Sequence, residues 1–210
     1  DLNGDGINDL LVGAPTDDVI ERDQGSVWAM FLDATGTPTT VSRISAAEGV
    51  ANLDRGDEFG TSVANLGDVN SDGVPDIAVG AIGDDNDNND AGAIHAFFMN
   101  AEATIATQNE ISGTEGNFHG ILDRKDQFGI SIAASGDLDG DCITEVMVGA
   151  LLDDQDIAPS RPVKDVGAMW TLFLEEAVAP VREQGSQKGN DLAAVPQLSS
   201  PESLKADVMT

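Results

Sequence analysis

Apolar residues in this 210-residue chain come in short runs, each closed by Gly, Pro, Asp or Asn. The clearest are Leu10-Leu11-Val12, Val27 to Leu32, Ile94 to Met99 and Met169 to Leu174. Runs this short, with no recurrence at helical spacing, predict strands. The last three have almost no polar interruption, which predicts strands covered on both faces. Weaker strands are expected around Val41 to Ile44, Ser62-Val63-Ala64, Ile105 to Ile111 and Ser131-Ile132-Ala133. No stretch has the stripe of an amphipathic helix.

The runs return in register. Asp1-Leu2-Asn3-Gly4-Asp5-Gly6-Ile7-Asn8-Asp9 recurs as Asp68-Val69-Asn70-Ser71-Asp72-Gly73-Val74-Pro75-Asp76, and again as Asp137-Leu138-Asp139-Gly140-Asp141-Cys142-Ile143-Thr144-Glu145. Val12-Gly13-Ala14 is matched by Val79-Gly80-Ala81 and Val148-Gly149-Ala150, and Phe59-Gly60 by Phe128-Gly129. Acidic pairs follow at Asp17-Asp18, Asp84-Asp85 and Asp153-Asp154, and Gly25, Gly92 and Gly167 each open the next apolar run. Each unit then holds about four short strands, the content of one propeller blade. The expected fold is all-β: propeller blades of four antiparallel strands, in a partial propeller of about three blades.

The register sets expected boundaries. Residues 1–58 make a first blade without its first strand, 59–127 a second, and 128–184 an incomplete third. Beyond Leu174 the landmarks fail, and 185–210 reads as a tail or linker. The chain reads as a fragment of a longer protein, whose remaining blades would be its neighbours. Three blades cannot close a ring, so the arc is expected to expose apolar faces at both ends.

Charge narrows the function. Asp and Glu number 38 against 10 Lys and Arg, a formal net charge of −28. A nucleic-acid partner would need a basic face, so that class is excluded. No apolar run approaches the roughly 20 residues of a membrane helix, so membrane insertion of this segment is excluded as well. A single cysteine, Cys142, cannot build an internal disulfide framework.

The acid is concentrated in the nonapeptides. Their oxygen donors stand at loop positions 1, 3, 5 and 9, and position 7 can add its backbone carbonyl. Such a loop suits calcium, a hard cation that takes about 6–8 oxygens. The expected ligands are Asp1, Asn3, Asp5, Ile7 and Asp9 in the first loop, and Asp68, Asn70, Asp72, Val74 and Asp76 in the second. In the third they are Asp137, Asp139, Asp141, Ile143 and Glu145. An EF-hand would need a glutamate at position 12 between helices, where this chain has Val12, Val79 and Val148 within strands. An ion-free Asx-Gly turn explains the glycine but not three uncompensated carboxylates. The third loop has Cys142 in place of glycine, and a side chain in the left-handed region costs on the order of 1–2 kcal/mol. Two calcium sites are therefore expected, with the third weaker or empty.

Phe59-Gly60, Phe128-Gly129, Gly13-Ala14-Pro15, Gly80-Ala81 and Gly149-Ala150, with the acidic nonapeptide between them, resemble the FG-GAP repeats of the integrin α-subunit β-propeller and related surface proteins. The resemblance covers about residues 1–174. It implies a seven-bladed propeller in the full protein, calcium in the hairpin loop between a blade's first two strands, an extracellular or cell-surface setting, and adhesion or binding of a protein or glycan ligand. Pro15 has no counterpart at Ile82 or Leu151, and Cys142 and Glu145 depart from the pattern. The alternative is an accessory propeller of a secreted calcium-dependent enzyme, such as a phospholipase or glycan-active enzyme.

Within these residues no catalytic set is expected: there is no Ser-His-Asp order, phosphate-cradling loop or zinc spacing. Arg55-Gly56-Asp57 spells an adhesion tripeptide, but it aligns with Arg124-Lys125-Asp126 and so belongs to the blade. His95 takes the place of Trp28 and Trp170, which predicts a structural ring. Asp84 to Asp90 could form a second cation loop but reads rather as a solvated loop between strands, His119 has no aligned partner, and the acidic surroundings of Cys142 argue against a nucleophile.

Overall fold

The structure is a computed structural model and describes residues 1–85, 90–100, 102, 104–154, 165–175 and 205–209. The strands are β1 (Leu10–Ala14), β2 (Ser26–Leu32), β3 (Pro38–Ile44), β4 (Phe59–Gly67), β5 (Asp76–Ala81), β6 (Ala93–Met99), β7 (Ile105–Ile111), β8 (Phe128–Gly136), β9 (Glu145–Ala150), β10 (Ala168–Glu175) and β11 (Lys205–Met209). Among the described residues the only helical segment is a 3-10 turn at Ala46–Glu48. The strands form three antiparallel sheets in chain order, β1-β2-β3, β4-β5-β6-β7 and β8-β9-β10-β11. The molecule is all-β, with the architecture of a partial propeller.

The first sheet has three strands, and among the described residues no strand takes the place that β4 and β8 hold in the others. In the third, Lys205–Met209 pair with β10 from Thr171 to Glu175. That run falls inside the stretch expected to be a tail. It lacks the apolar anchor of β3 and β7 and comes late in the register, so the repeat did not reveal it. Main-chain pairing needs no such anchor, because N–H and C=O are shared by every residue but proline. Residues 185–204 lie outside the described residues.

Two apolar layers hold the sheets together. Strand alternation sends Ile77, Val79, Ala81, Phe97 and Met99 against Val27, Ala29, Phe31, Ile44 and Phe59. It sends Ala78, Ile94, Ala96 and Phe98 the other way, against Phe128, Val146, Val148, Ala150 and Leu172. Every residue of β5 and β6 is buried as a result. The expectation of two covered faces holds fully only in this middle sheet. Leu10 and Val12 of β1 are 50 % and 41 % exposed, and Met169 of β10 is 70 % exposed, because among the described residues no further sheet lies against those faces.

The joint between sheets explains the repeated glycines. A Cβ on Gly13 would sit 1.9 Å from the carbonyl oxygen of Gly60, and one on Gly80 would sit 2.1 Å from that of Gly129. Only hydrogen fits. Phe59 N–H donates to the Gln24 carbonyl at 3.1 Å, and Phe128 N–H to the Ala91 carbonyl at 2.9 Å. Each Phe-Gly also begins a register shift in its strand, between Phe59 and Ser62 and between Phe128 and Ser131. The phenylalanine enters the core, fully buried, while the glycine meets the previous sheet.

Candidate metal centre

Each nonapeptide precedes a strand that starts or nearly starts at its ninth residue: β1 follows Asp9, β5 begins at Asp76 and β9 at Glu145. The loops are built alike. The position-1 carboxylate is the hub. Asp1 accepts the N–H groups of Gly4 (2.7 Å), Asp5 (3.1 Å) and Gly6 (2.8 Å). Asp68 accepts those of Asp72 (3.0 Å) and Gly73 (2.8 Å), and Asp137 those of Gly140 (2.6 Å) and Cys142 (3.0 Å). The position-5 carboxylate then accepts the N–H of residue 7: Ile7 at 2.8 Å, Val74 at 2.8 Å and Ile143 at 2.7 Å. Position 3 accepts the N–H of position 5 in all three loops, from Asn3, Asn70 and Asp139. The main chain therefore curls around the side chains at 1, 3 and 5.

That curl requires positive φ at two places. At position 6, Gly6 (+86°) and Gly73 (+91°) adopt it without strain, and Cys142 adopts it at +73°. Position 4 also requires it, through Gly4 (+75°), Gly140 (+89°) and Ser71 (+61°). Sequence reasoning missed position 4. The two glycines there were a signal, and Ser71 hid it.

The ninth carboxylate does different work. Asp76 is fully buried. One oxygen accepts from Val69 N–H at 3.0 Å and the other from Met99 N–H at 3.1 Å. Asp9 does the same with Leu2 (2.7 Å) and Leu32 (3.1 Å). The side chain staples the loop's base to the end of the second strand. Burial pushes the Asp76 carboxyl up to about 6, against the two N–H donors that favour its charge, with Asp72 adding repulsion.

Glu145 is one methylene longer and keeps one arm, from Leu138 N–H to Oε2. Its Oε1 is buried without a hydrogen-bond partner. Burial, and then Asp139, Asp141 and Asp137, raise its carboxyl above the ordinary glutamate value, while the Leu138 N–H opposes them. Carboxylate oxygens of Asp137, Asp139 and Glu145 lie within 4.8 Å of one another. The close ion pairs Arg22–Asp23 and Arg43–Glu48 are elsewhere. Among the described residues no lysine or arginine pairs with the loop carboxylates. Acidic loops with their main chain turned inward and no basic partner fit a hard divalent cation.

Other sequence-marked residues fall away from the loops. Arg55 is exposed, but Asp57 is only 2 % exposed, and its carboxylate accepts from Asp54 N–H at 2.6 Å. Asp126 repeats this with Asp123 N–H at 2.5 Å. The tripeptide's carboxylate is thus turned inward. Cys142 is exposed. His95 is buried between aromatic rings, 5.5 Å from Phe59 and 6.1 Å from Phe97. Asp84 is 2 % exposed, where a solvated loop was expected; its carbonyl accepts from Gly92 N–H at 3.1 Å, as Asp17 does from Gly25 (3.0 Å) and Asp153 from Gly167 (3.1 Å). Residues 86–89 of that stretch lie outside the described residues.

Comparison with known proteins agrees with this architecture. The FG-GAP repeat family matches at residues 1–30 and 59–97. Human integrin alpha-7 is 32% identical over 166 residues, 79% of this chain and 13% of that protein. Drosophila melanogaster integrin alpha-PS2 is 30% identical over 199 residues, 93% of this chain and 14% of that protein. Mouse integrin alpha-2 is 35% identical over 155 residues, 72% of this chain and 12% of that protein. The chain thus spans about one seventh or less of the length of these relatives.

Proposed function

The chain is an integrin-like FG-GAP repeat protein, and from that premise we propose that it is a calcium-stabilised, extracellular binding module. Its role is adhesion, by holding a protein or glycan ligand on the loops that the sheets present. The observation that carries this reading is the shared loop lattice. Three acidic nonapeptides are curled by their own main chain around side-chain oxygens, and no basic side chain of the described residues pairs with them.

Asp1, Asn3, Asp5, Asp9 and the Ile7 carbonyl would hold the first calcium, and Asp68, Asn70, Asp72, Asp76 and the Val74 carbonyl the second. Asp137, Asp139, Asp141, Glu145 and the Ile143 carbonyl form the third, weaker site. Calcium replaces repulsion among neighbouring carboxylates with ligation, and so fixes the loops relative to the sheets. The rigid sheets then keep the ligand-facing loops in one arrangement, which lowers the ordering cost of binding.

Extracellular modules bind calcium at roughly 10⁻⁴–10⁻³ M. At ten millimolar calcium, a site near the tight end of that range adds about 2.7 kcal/mol, or about 5–10 °C in melting temperature for a chain of this size. Differential scanning calorimetry with and without chelator tests this. A melting temperature that chelator leaves unchanged would overturn the proposal.

A further inference from the structure

The middle sheet holds a second cluster of metal-binding side chains, outside the acidic loops. Asp84 follows β5, His95 lies in β6 and Glu110 in β7. Register places His95 opposite Val79 on one side and Glu110 on the other. A ring nitrogen of His95 and one carboxylate oxygen each from Asp84 and Glu110 lie within 4.8 Å of one another. Asp84 and His95 are each 2 % exposed. Nε2 of His95 is sealed from solvent and has no hydrogen-bond partner. Buried ring nitrogens in folded proteins are almost always satisfied, so this atom calls for a partner.

The repeat supplies an internal control. In the first sheet the same register positions hold Asp17, Trp28 and Arg43, with Arg43 opposite Trp28 and its guanidinium 5.7 Å over the ring. In the third sheet they include Asp153 and Trp170. The aspartate is kept in all three. Only in the middle sheet has the indole become an imidazole, and there a carboxylate stands where the first sheet has a cation. Those two changes alone would bring acid together beside a ring that burial holds neutral. The imidazole is pushed down to about 4, chiefly by burial, with Glu110 opposing. Asn52 Nδ2 donates to Glu110 Oε2 at 3.1 Å, the kind of outer hydrogen bond that orients a ligating carboxylate.

We propose that Asp84, His95 and Glu110 bind a divalent transition-metal ion of the zinc class, at a site separate from the calcium loops. One imidazole nitrogen with two carboxylate oxygens is a borderline donor set, better matched to zinc than to calcium, which takes oxygens alone. Zinc stands about 2.0–2.2 Å from such donors, which puts the donors themselves roughly 3–3.5 Å apart. Closing the set is an adjustment on the scale of a side-chain torsion. The ion would tie the turn after β5 to two strands and give the buried imidazole a partner.

Equilibrium dialysis against Zn²⁺, with calcium in large excess to fill the acidic loops, tests the site on the full chain. Wild type is expected to retain one zinc per chain. His95→Trp and Glu110→Arg install the residues of the first sheet, and each is expected to weaken that zinc at least tenfold. Both should keep the calcium-dependent thermal shift, so the loops are read separately. Co²⁺ should give visible ligand-field bands with wild type that His95→Trp abolishes. If His95→Trp does not fold, His95→Gln gives the same readouts with a smaller side chain. Zinc or cobalt binding that is equal in wild type and the folded His95 variant would overturn the proposal, as would no zinc above background in wild type.

Discussion

The second and third sheets share one sequence register and differ in surroundings. Gly80 of the second lies against the next sheet's Gly129, whereas the nearest atoms to a Cβ on Gly149 belong to Ser131 and Ile130 of its own sheet. Asp76 staples its loop with two arms, whereas Glu145 has one arm and a buried oxygen without a partner. β6 is buried throughout, whereas Met169 of β10 is mostly exposed. The comparison separates what a unit builds alone from what its neighbour completes. Strand pairing and loop curl come from within the unit; covered faces and the glycine joint come from the next one.

That comparison can be broken at several strengths. The largest effect is expected from Gly80→Ala, whose Cβ would collide with main chain, at about 3 kcal/mol or more. Gly149→Ala should cost less than about 1 kcal/mol, since Ser131 Oγ can rotate away. Urea unfolding measures both, and equal losses would refute the neighbour's role. Next comes Asp76→Ala, which strands two buried N–H groups and should cost about 2–4 kcal/mol, against about 1–2 kcal/mol for Glu145→Ala. Glu145→Asp should add about 1 kcal/mol if the extra methylene is what orphaned the oxygen. No gain in its unfolding midpoint would place the cause in the surrounding loop.

The smallest contrast is in pH. Burial raises Asp57 from 3.8 to about 7 and Asp126 from 3.8 to about 6, with Asp54 and Asp123 N–H groups respectively opposing. A carboxyl whose folded value lies above its unfolded value stabilises the fold at low pH and loses that contribution as pH rises. At constant calcium, the stability of wild type relative to Asp57→Asn should therefore fall between about pH 4 and 7. Relative to Asp126→Asn the fall should end near pH 6. Denaturation midpoints across that range check both, and a difference that is flat with pH would contradict the burial of these groups.

The strands were legible because each apolar run fits a short strand and recurs in step: Val27 to Leu32 and Ile94 to Met99 fall inside β2 and β6. The carboxylate spacing at 1, 3 and 5 gave the loop's inward side chains, since alternation along a curled backbone is local. Four things were not legible. Ser71 takes a left-handed conformation that serine does not advertise. Asp9 and Asp76 bond main chain at Leu32 and Met99, partners fixed by hairpin register rather than by spacing. Asp84, His95 and Glu110 meet only when three separate segments are laid side by side. β11 was missed because its pairing with β10 is a main-chain matter with no repeat landmark.

The glycine joint also bears on descent. Gly13 against Gly60 and Gly80 against Gly129 are the same main-chain contact made twice, and neither depends on a side chain. A copied unit therefore arrives already able to seat against the one before it. Positions outside that contact and the shared apolar layers are then freer to diverge, as Trp28, His95 and Trp170 have done at one position. What each copy must keep for that seat is the glycine pair and the apolar residues of the shared layers, which leaves its other positions open to new use.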